Sequence, residues 1–576
     1  MLTKKTVADV IVETLKEVGI KRYYCVPGDS MNEVTTRLDD AGIQFIHTRN
    51  EGAAIFAAGA EAQLTGEITV CAGSAGPGSL HLVNGVHEAS RMNAPMLVFA
   101  THIPSTEIGG KYFQESDLKS IFKDSTCFCE MILSAEQMPR LLNIAIQTAI
   151  AKKGVAVLIF SGDVIQQVAP HQMQKQYIPK YFNPVITPSE TELNSIAKLL
   201  NDSKKIALFC GYGCKEAHDQ VVKLADKLKS PVIHALRGKE FVEYDNPYDV
   251  GMTGFLGAPS GYLAIKECDT LLLLGTGFPY RQFYPEHAKI IQIDIDGENI
   301  GRRVGVDIGA VGDIKPTIEL LLPKLQEKTE RDFLDAALKH YKKSRQNFDK
   351  LATFSTGDTT IHPQYLAKMI DNLANDDTVF SVGTGTPTAW AARYLTMNGK
   401  RRITGSFNNG SIGTAVSQAI GAQSTYPERQ VVAMCGDGGL AMFLGEFITV
   451  ENFNLPIKII IFNNHSYGFV QLEMMEAGTY SHNTDLKNPN FAKVAEAIGI
   501  KGIFINKPED IESGLKEAFA HDGPVVVDVQ VSSHELIMPP KVEIDQVKGF
   551  ALYASRVILD GDFKTLIDVA KENLFR

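Results

Sequence analysis

Cys435-Gly436-Asp437-Gly438-Gly439 follows the apolar run Val431-Val432-Ala433-Met434, and Asn463-Asn464-His465-Ser466 follows Ile457-Lys458-Ile459-Ile460-Ile461-Phe462. Short apolar runs bounded by glycine or asparagine read as buried strands of a parallel sheet. The two polar clusters then lie at the carboxyl ends of strands, where ligands of open α/β sheets bind. The stretch between Asp437 and Asn464 leaves room for a helix and a second strand, which return a carboxylate and a carboxamide to one point. Both offer hard oxygen. Mg²⁺ takes octahedral oxygen ligands and shares them with phosphates, while Gly436, Gly438 and Gly439 let backbone amides approach a diphosphate closely. An isolated Gly-Asp-Gly is most often a turn; the paired placement at two strand ends is what points to a metal-bound diphosphate.

The same alternation of apolar runs and helical patterns extends over the chain. Met96 to Ala100 and Val155 to Phe160 mark strands of a first unit, and Ile206 to Phe209, Thr270 to Leu274 and Ile290 to Ile293 those of a second. The pattern predicts an α/β protein of three doubly wound parallel sheets, with units at 1–182, 183–335 and 336–530 and a tail at 531–576. Pro179, Pro184 and Pro188 among polar residues mark a linker from Gln172 to Glu190, and a charged helical stretch from Lys324 to about Lys350 closes the middle unit. The first and third units read as copies of one architecture.

A length of 576 residues exceeds what one core supports, and a formal charge of −10 offers no basic surface for nucleic acid. The eight cysteines form no paired CxxC and read as buried free thiols. The N-terminal stretch lacks an apolar leader core, and no run approaches ~18 apolar residues. The expected location is the cytoplasm, with any membrane contact peripheral, at the inner face of the cell membrane.

In the first unit, Glu51 opens a helix rich in alanine and glycine. Alone, such a glutamate is a capping or dipole-favouring residue. Its neighbours carry more. Val26-Pro27-Gly28-Asp29-Ser30, Cys71 to Gly78, Tyr112-Phe113-Gln114-Glu115, His234 to Glu240, Gly251 to Gly254, Phe278-Pro279-Tyr280, Trp390 to Tyr394 and Gly405 to Asn408, together with the Gly-Asp-Gly and Asn-Asn pair, run along nearly the whole chain. In these stretches the chain resembles the thiamine diphosphate-dependent pyruvate oxidase family, above all its quinone-linked, peripheral-membrane form.

That resemblance implies three cofactors, thiamine diphosphate, Mg²⁺ and FAD, and a homotetramer whose active sites lie between the first domain of one subunit and the third of another. It implies oxidative decarboxylation of pyruvate to acetate and CO₂, with electrons passing through FAD to ubiquinone or another membrane quinone. Acetolactate synthase and oxygen-linked pyruvate oxidase are the nearest alternatives. Position by position, Glu51 matches the family's activating acid, Asp437 and Asn464 its Mg²⁺ ligands, and Ser466 would add a backbone carbonyl. Gly28, Asp29, Ser30, Gly410, Ser411, Ile412, Gly438, Gly439, Tyr467, Gly468, Phe469 and Val470 fall where the cofactor is held, with Ile412 as the apolar support beneath it. Phe113, Gln114 and Glu473 match the lining of the substrate pocket, and Phe469 a position proposed to move into the site on activation. Gly52-Ala53 and Asn409 depart from the residues common in the closest relatives.

A flavin would fall to the middle unit. Gly211-Tyr212-Gly213 lacks the third glycine of the dinucleotide fingerprint and reads as a plain strand-to-helix turn. Better candidates are Gly251-Met252-Thr253-Gly254, the loop Gly275-Thr276-Gly277-Phe278-Pro279, and Asp294-Ile295-Asp296, since glycine admits a pyrophosphate and a strand-end acid takes a ribose hydroxyl. In the tail, Phe563, Leu566, Ile567, Ala570 and Leu574 recur at helical spacing beside Lys564, Lys571 and Arg576. Such a stripe packs on its own protein or lies on an anionic phospholipid surface, and the resemblance favours the lipid.

Overall fold

The computed structural model describes residues 5–170, 184–354, 359–479, 482–540 and 544–559, together with Ile567, Val569 and Asn573. The apolar runs form strands of three six-stranded sheets. The first comprises β1 (Arg22–Cys25), β2 (Gln44–His47), β3 (Thr69–Gly73), β4 (Met96–His102), β5 (Phe128–Ile132) and β6 (Val155–Ser161), in the order β2-β1-β3-β4-β6-β5. The second comprises β7 (Ile206–Cys210), β8 (Val232–His234), β9 (Asp249–Met252), β10 (Thr270–Leu274), β11 (Lys289–Asp294) and β12 (Ile308–Val311), in the order β12-β11-β10-β7-β8-β9. The third comprises β13 (Val379–Val382), β14 (Arg402–Gly405), β15 (Val431–Gly436), β16 (Lys458–Asn463), β17 (Lys501–Ile505) and β18 (Val525–Gln530), in the order β14-β13-β15-β16-β18-β17. Every pairing between these strands is parallel.

Helices cover both faces of each sheet, so the inner strands are mostly apolar rather than alternating. β4, β6 and β10 are buried at every residue. Numbered from their own first strands, the first and third sheets share one order, 2-1-3-4-6-5. The middle sheet differs. Read from β9 it runs 3-2-1-4-5-6, the arrangement that binds dinucleotides where the strand order reverses.

The first and third units share a hydrophobic core. At its centre the Glu51–Thr65 helix crosses the Thr414–Thr425 helix so closely that a Cβ at Gly421 would collide with the Ala57 carbonyl. Only small side chains permit that approach, which is why the Glu51–Thr65 helix is built from alanine and glycine and is buried nearly all round. The Asp332–Leu351 helix packs on β9 and the Pro259–Glu267 helix of the middle unit. The boundary expected at 335/336 would therefore cut a continuous helix near its start.

Among the described residues no helix is long and apolar enough to cross a membrane. All eight cysteines are free thiols. Most of the 172–190 linker and the tail residues Phe563, Lys564, Leu566, Ala570, Lys571, Leu574 and Arg576 fall outside the described residues; Ile567 is exposed.

Candidate active site

β15 and β16 are neighbours, with Gly436 opposite Phe462, so their two strand-end motifs emerge side by side. Asp437 opens the Asp437–Met442 helix and is only 2% exposed. Asn488 donates its side-chain amide to Asp437 Oδ2 at 2.6 Å and to Asn463 Oδ1 at 3.0 Å, while Asn463 donates to Asp528 Oδ1 at 2.9 Å. The first asparagine of the pair is thus consumed in tying strands together. Asn464 accepts from the Ser466 amide at 3.2 Å. Burial pushes the Asp437 carboxyl above the usual carboxylate range, with the Asn488 hydrogen bond opposing it. A buried acid short of positive partners is the donor a cation relieves.

The glycines are close-approach positions. A Cβ on Gly438 would sit 2.5 Å from the Tyr467 ring, and one on Gly439 would sit 3.3 Å from both Ile412 Cγ1 and the Gly413 amide nitrogen. On Gly468 it would meet Asn464 Nδ2 at 2.8 Å. These contacts bring 412–413, 437–439 and 464–468 to one place. Behind them lies a small pocket lined in part by Gly383, Thr384, Gly413, Cys435, Gly436 and Phe443. No group of three or more His, Cys, Asp or Glu residues converges on a metal position among the described residues. The donors are one carboxylate, one carboxamide and main-chain oxygen, a set that suits Mg²⁺ sharing its shell with phosphates.

In the first unit Asn50, not Glu51, caps the Glu51–Thr65 helix, accepting from the Gly52 amide at 2.8 Å. The Glu51 carboxylate is free of capping and meets His81 Nδ1 at 2.8 Å. A Cβ on Gly78 would lie 3.0 Å from Glu51 Oε1, so the backbone there is tailored to the carboxylate. The helix start abuts the third unit, where Glu446 accepts from the Arg49 amide at 3.0 Å. Gly28 packs directly on Ser74, and Ser30 Oγ lies 2.6 Å from Thr101 Oγ1 and accepts from the Ala75 amide at 3.1 Å. Asp29 folds back to accept from the Ser30 amide. Phe113 is 77% exposed on a loop where Gln114 adopts a φ of 66° against Gly76. On the Gly468–Glu476 helix Phe469 is half-buried against the third core, whereas Val470 and Glu473 are exposed. Gly410, with φ 73°, turns the loop toward Ser411 and Ile412.

The middle unit adds to one reading, since Tyr212–Cys214 does form a turn between β7 and the His218–Leu228 helix. Gly211 and Gly213 are more than a plain turn: Gly213 donates its amide to the Gly275 carbonyl at 3.0 Å, and neither glycine could carry a side chain without striking Gly275 or Thr276. The loops after β7 and β10 therefore interlock at the point where the strand order reverses. Sequence offered the glycine pair but not its partner across the sheet. Gly254 lies against Phe278, whose ring also meets Phe209 and Tyr280 edge-on. The buried Thr253 hydroxyl has no hydrogen-bond partner among the described residues, as expected of a group kept for a ligand. Asp294 is buried and pushed up by burial, and accepts from the Asp296 amide at 3.0 Å. Asp296 caps a turn by accepting from Glu298, while Ile295 and Gly277 face open space. A Rossmann-ordered sheet, glycines at its switch point and an acid at the end of β11 fit a dinucleotide.

Family models match each unit in turn: a thiamine pyrophosphate enzyme N-terminal TPP binding domain over residues 5–121, a central domain over 193–321, and a C-terminal TPP binding domain over 383–529. A Bacillus subtilis protein named for thiamine pyrophosphate, YdaP, is 37% identical over 559 residues, covering 96% of each chain. The chain belongs to the thiamine pyrophosphate enzymes. Acetolactate synthase 1 of Oryza sativa subsp. japonica is 27% identical over 577 residues, covering 97% of this chain and 88% of its own. Pyruvate oxidase of Lactiplantibacillus plantarum is 26% identical over 550 residues, covering 94% and 91%.

For a thiamine pyrophosphate enzyme the third unit's strand ends have a direct reading. Asp437, Asn464 and the Ser466 carbonyl would hold the Mg²⁺, the Gly438 and Gly439 amides the phosphates, and Ile412 would support the ring system. His81, Asn488 and Glu446 carried no sequence signal, because each is an ordinary polar residue whose partner lies far along the chain.

Proposed function

We propose that this enzyme decarboxylates pyruvate oxidatively to acetate and CO₂, passing two electrons through FAD to ubiquinone or another membrane quinone. The observation that carries the flavin part is the middle sheet, whose 3-2-1-4-5-6 order and interlocked glycines at the switch point suit a dinucleotide cofactor. Bound thiamine diphosphate would supply an electron sink for cleavage next to a keto group. The chain's own part is to hold and move protons and to shape the pocket. Glu51, buried beside His81, would exchange a proton with the cofactor's aminopyrimidine. Phe113 and Gln114 of one subunit would close over Phe469 and Glu473 of another in a homotetramer, which accounts for the exposure of Phe113 in the single chain.

The quinone assignment rests on the tail. Tyr553 and Val557 of the Ile544–Leu559 helix are buried against Met475 of the Gly468–Glu476 helix, together with Val569. A tail that moved onto an anionic phospholipid surface, at the inner face of the membrane, would withdraw that packing from the helix bearing Phe469 and Glu473. Differential affinity for the two positions is all that such coupling requires. The similarity to acetolactate synthase favours one alternative, condensation with a second 2-keto acid. The deciding assay gives the purified enzyme pyruvate with an artificial electron acceptor and identifies the product. Acetate with stoichiometric acceptor reduction supports the proposal; acetolactate without acceptor reduction overturns it, and acetate with oxygen consumption alone replaces the quinone by oxygen.

A further inference from the structure

The Val83–Arg91 helix of the first unit grips the loop that follows β14 in the third. Asn84, Glu88 and Arg91 stand at positions i, i+4 and i+7, along one face. Ser411 Oγ donates to Asn84 Oδ1 at 2.9 Å, and Asn409 Nδ2 donates to the same oxygen at 3.3 Å. Asn408 Nδ2 donates to the Arg91 carbonyl at 2.8 Å. Between them Ser406 donates its hydroxyl to Glu88 Oε2 and accepts from the Ser411 amide at 2.7 Å.

A backbone amide can only donate, so Ser406 Oγ accepts from Ser411, which leaves its single hydroxyl proton free to go to Glu88 Oε2. The next residue after Ser411 is Ile412, which touches the Gly439 position of the diphosphate motif. A first-unit carboxyl is thereby connected through two hydrogen bonds to the cofactor cradle of the third unit. Glu88 and Ser406 are both buried, and Glu88 Oε1 has no partner among the described residues. Burial pushes the Glu88 carboxyl up to about 7, against the opposing influence of Ser406 and of Arg237 from the middle unit. A buried acid costs stability unless its hydrogen bonds return something, and here they end at the cradle.

We propose that Glu88 is a positioning residue for thiamine diphosphate, holding the Ser406–Ile412 loop through Ser406 so that the cradle is formed before the cofactor arrives. The proposal rests on the diphosphate site described above. It needs an acceptor at Glu88, not a charge, so Glu88→Gln, whose amide oxygen still accepts from Ser406, is the discriminating variant.

Calorimetric titration of the cofactor-free enzyme with thiamine diphosphate and Mg²⁺ tests it without recourse to turnover. Glu88→Ala and Ser406→Ala are each expected to weaken binding by roughly 10- to 100-fold. The double variant should be no weaker than the worse single one, because both break one chain, and Glu88→Gln should stay within about threefold of wild type. Wild-type affinity in Glu88→Ala overturns the proposal, as do additive losses in the double variant or a loss in Glu88→Gln equal to that in Glu88→Ala. If Glu88→Ala fails to fold, Ser406→Ala beside Glu88→Gln still decides the matter, since only the former breaks the chain. Absence of binding by the wild-type enzyme itself would refute the diphosphate site rather than the role of Glu88.

Discussion

The first and third units carry sheets of identical strand order, yet they bring different chemistry to the same face. In the third, the ends of β15 and β16 carry a buried acid, close-approach glycines and an asparagine, a constellation for binding. In the first, the segments after β2 and β3 present Glu51 at the start of one helix, His81 at the end of another, and Ser74, with no glycine-acid-glycine motif. Under the proposed function, one framework would yield a cofactor clamp in one copy and a proton-handling wall in the other. The difference resides in a few strand-end residues, as expected when function is grafted onto a fold.

The comparison breaks most sharply at Glu51. Glu51→Gln is expected to lower turnover by roughly 10²- to 10⁴-fold while leaving thiamine diphosphate affinity near wild type, because the amide cannot exchange a proton. Weakened binding with normal turnover at saturating cofactor would invert the roles assigned to the two units. Asp437→Ala should do the reverse, weakening Mg²⁺ and thiamine diphosphate binding together by about 100-fold. Titration of the cofactor at fixed Mg²⁺ reads this, and unchanged affinity would remove the metal from Asp437.

Removal of the tail from about Ala554 extends the comparison to a segment that only the third unit has. The truncated enzyme is expected to fold and load its cofactors but to lose vesicle association, read by co-sedimentation with anionic vesicles with and without pyruvate. Equal pelleting of both forms makes the tail a packed terminus and sends the electrons to another acceptor. At Phe469, half-buried beside the site, substitution by alanine should change the rate of flavin reduction by about tenfold, measured by stopped-flow absorbance, with a smaller effect on stability. Unaltered flavin kinetics would return Phe469 to the core.

The smallest expected effect concerns stability. The Asp437 carboxyl is raised in the folded protein by burial, so the folded state holds that proton more tightly than the unfolded one. Its contribution is present below the unfolded value and lost as pH rises through the folded one. In the cofactor-free enzyme Asp437→Asn should therefore raise the unfolding midpoint at pH 8 by roughly 1–2 °C, with the gain shrinking toward pH 5. A destabilised variant at pH 8 would mean that the carboxylate is paid back by local hydrogen bonds even without a metal.

The alternation of apolar runs with helical patterns determined the three parallel sheets, because strands buried on both faces are mostly apolar, as in the five-residue run Met96 to Ala100 that opens β4. It also determined Asp437 and Asn464, whose chemistry is contained in a local motif, and the alanine-rich character of the helix at Glu51. Tertiary structure alone decided three things. It set the strand order of the middle sheet, which turns Gly211 and Gly213 from a turn into half of a switch point. It joined the first and third units in one core through the crossing at Gly421. And it placed His81 beside Glu51, Asn488 on Asp437 and Glu88 under Ser406. These last are pairings between residues up to 318 positions apart, and a hydrogen bond of that span leaves no periodic trace in a sequence, since it requires only one polar residue at each end and a fold that brings them together.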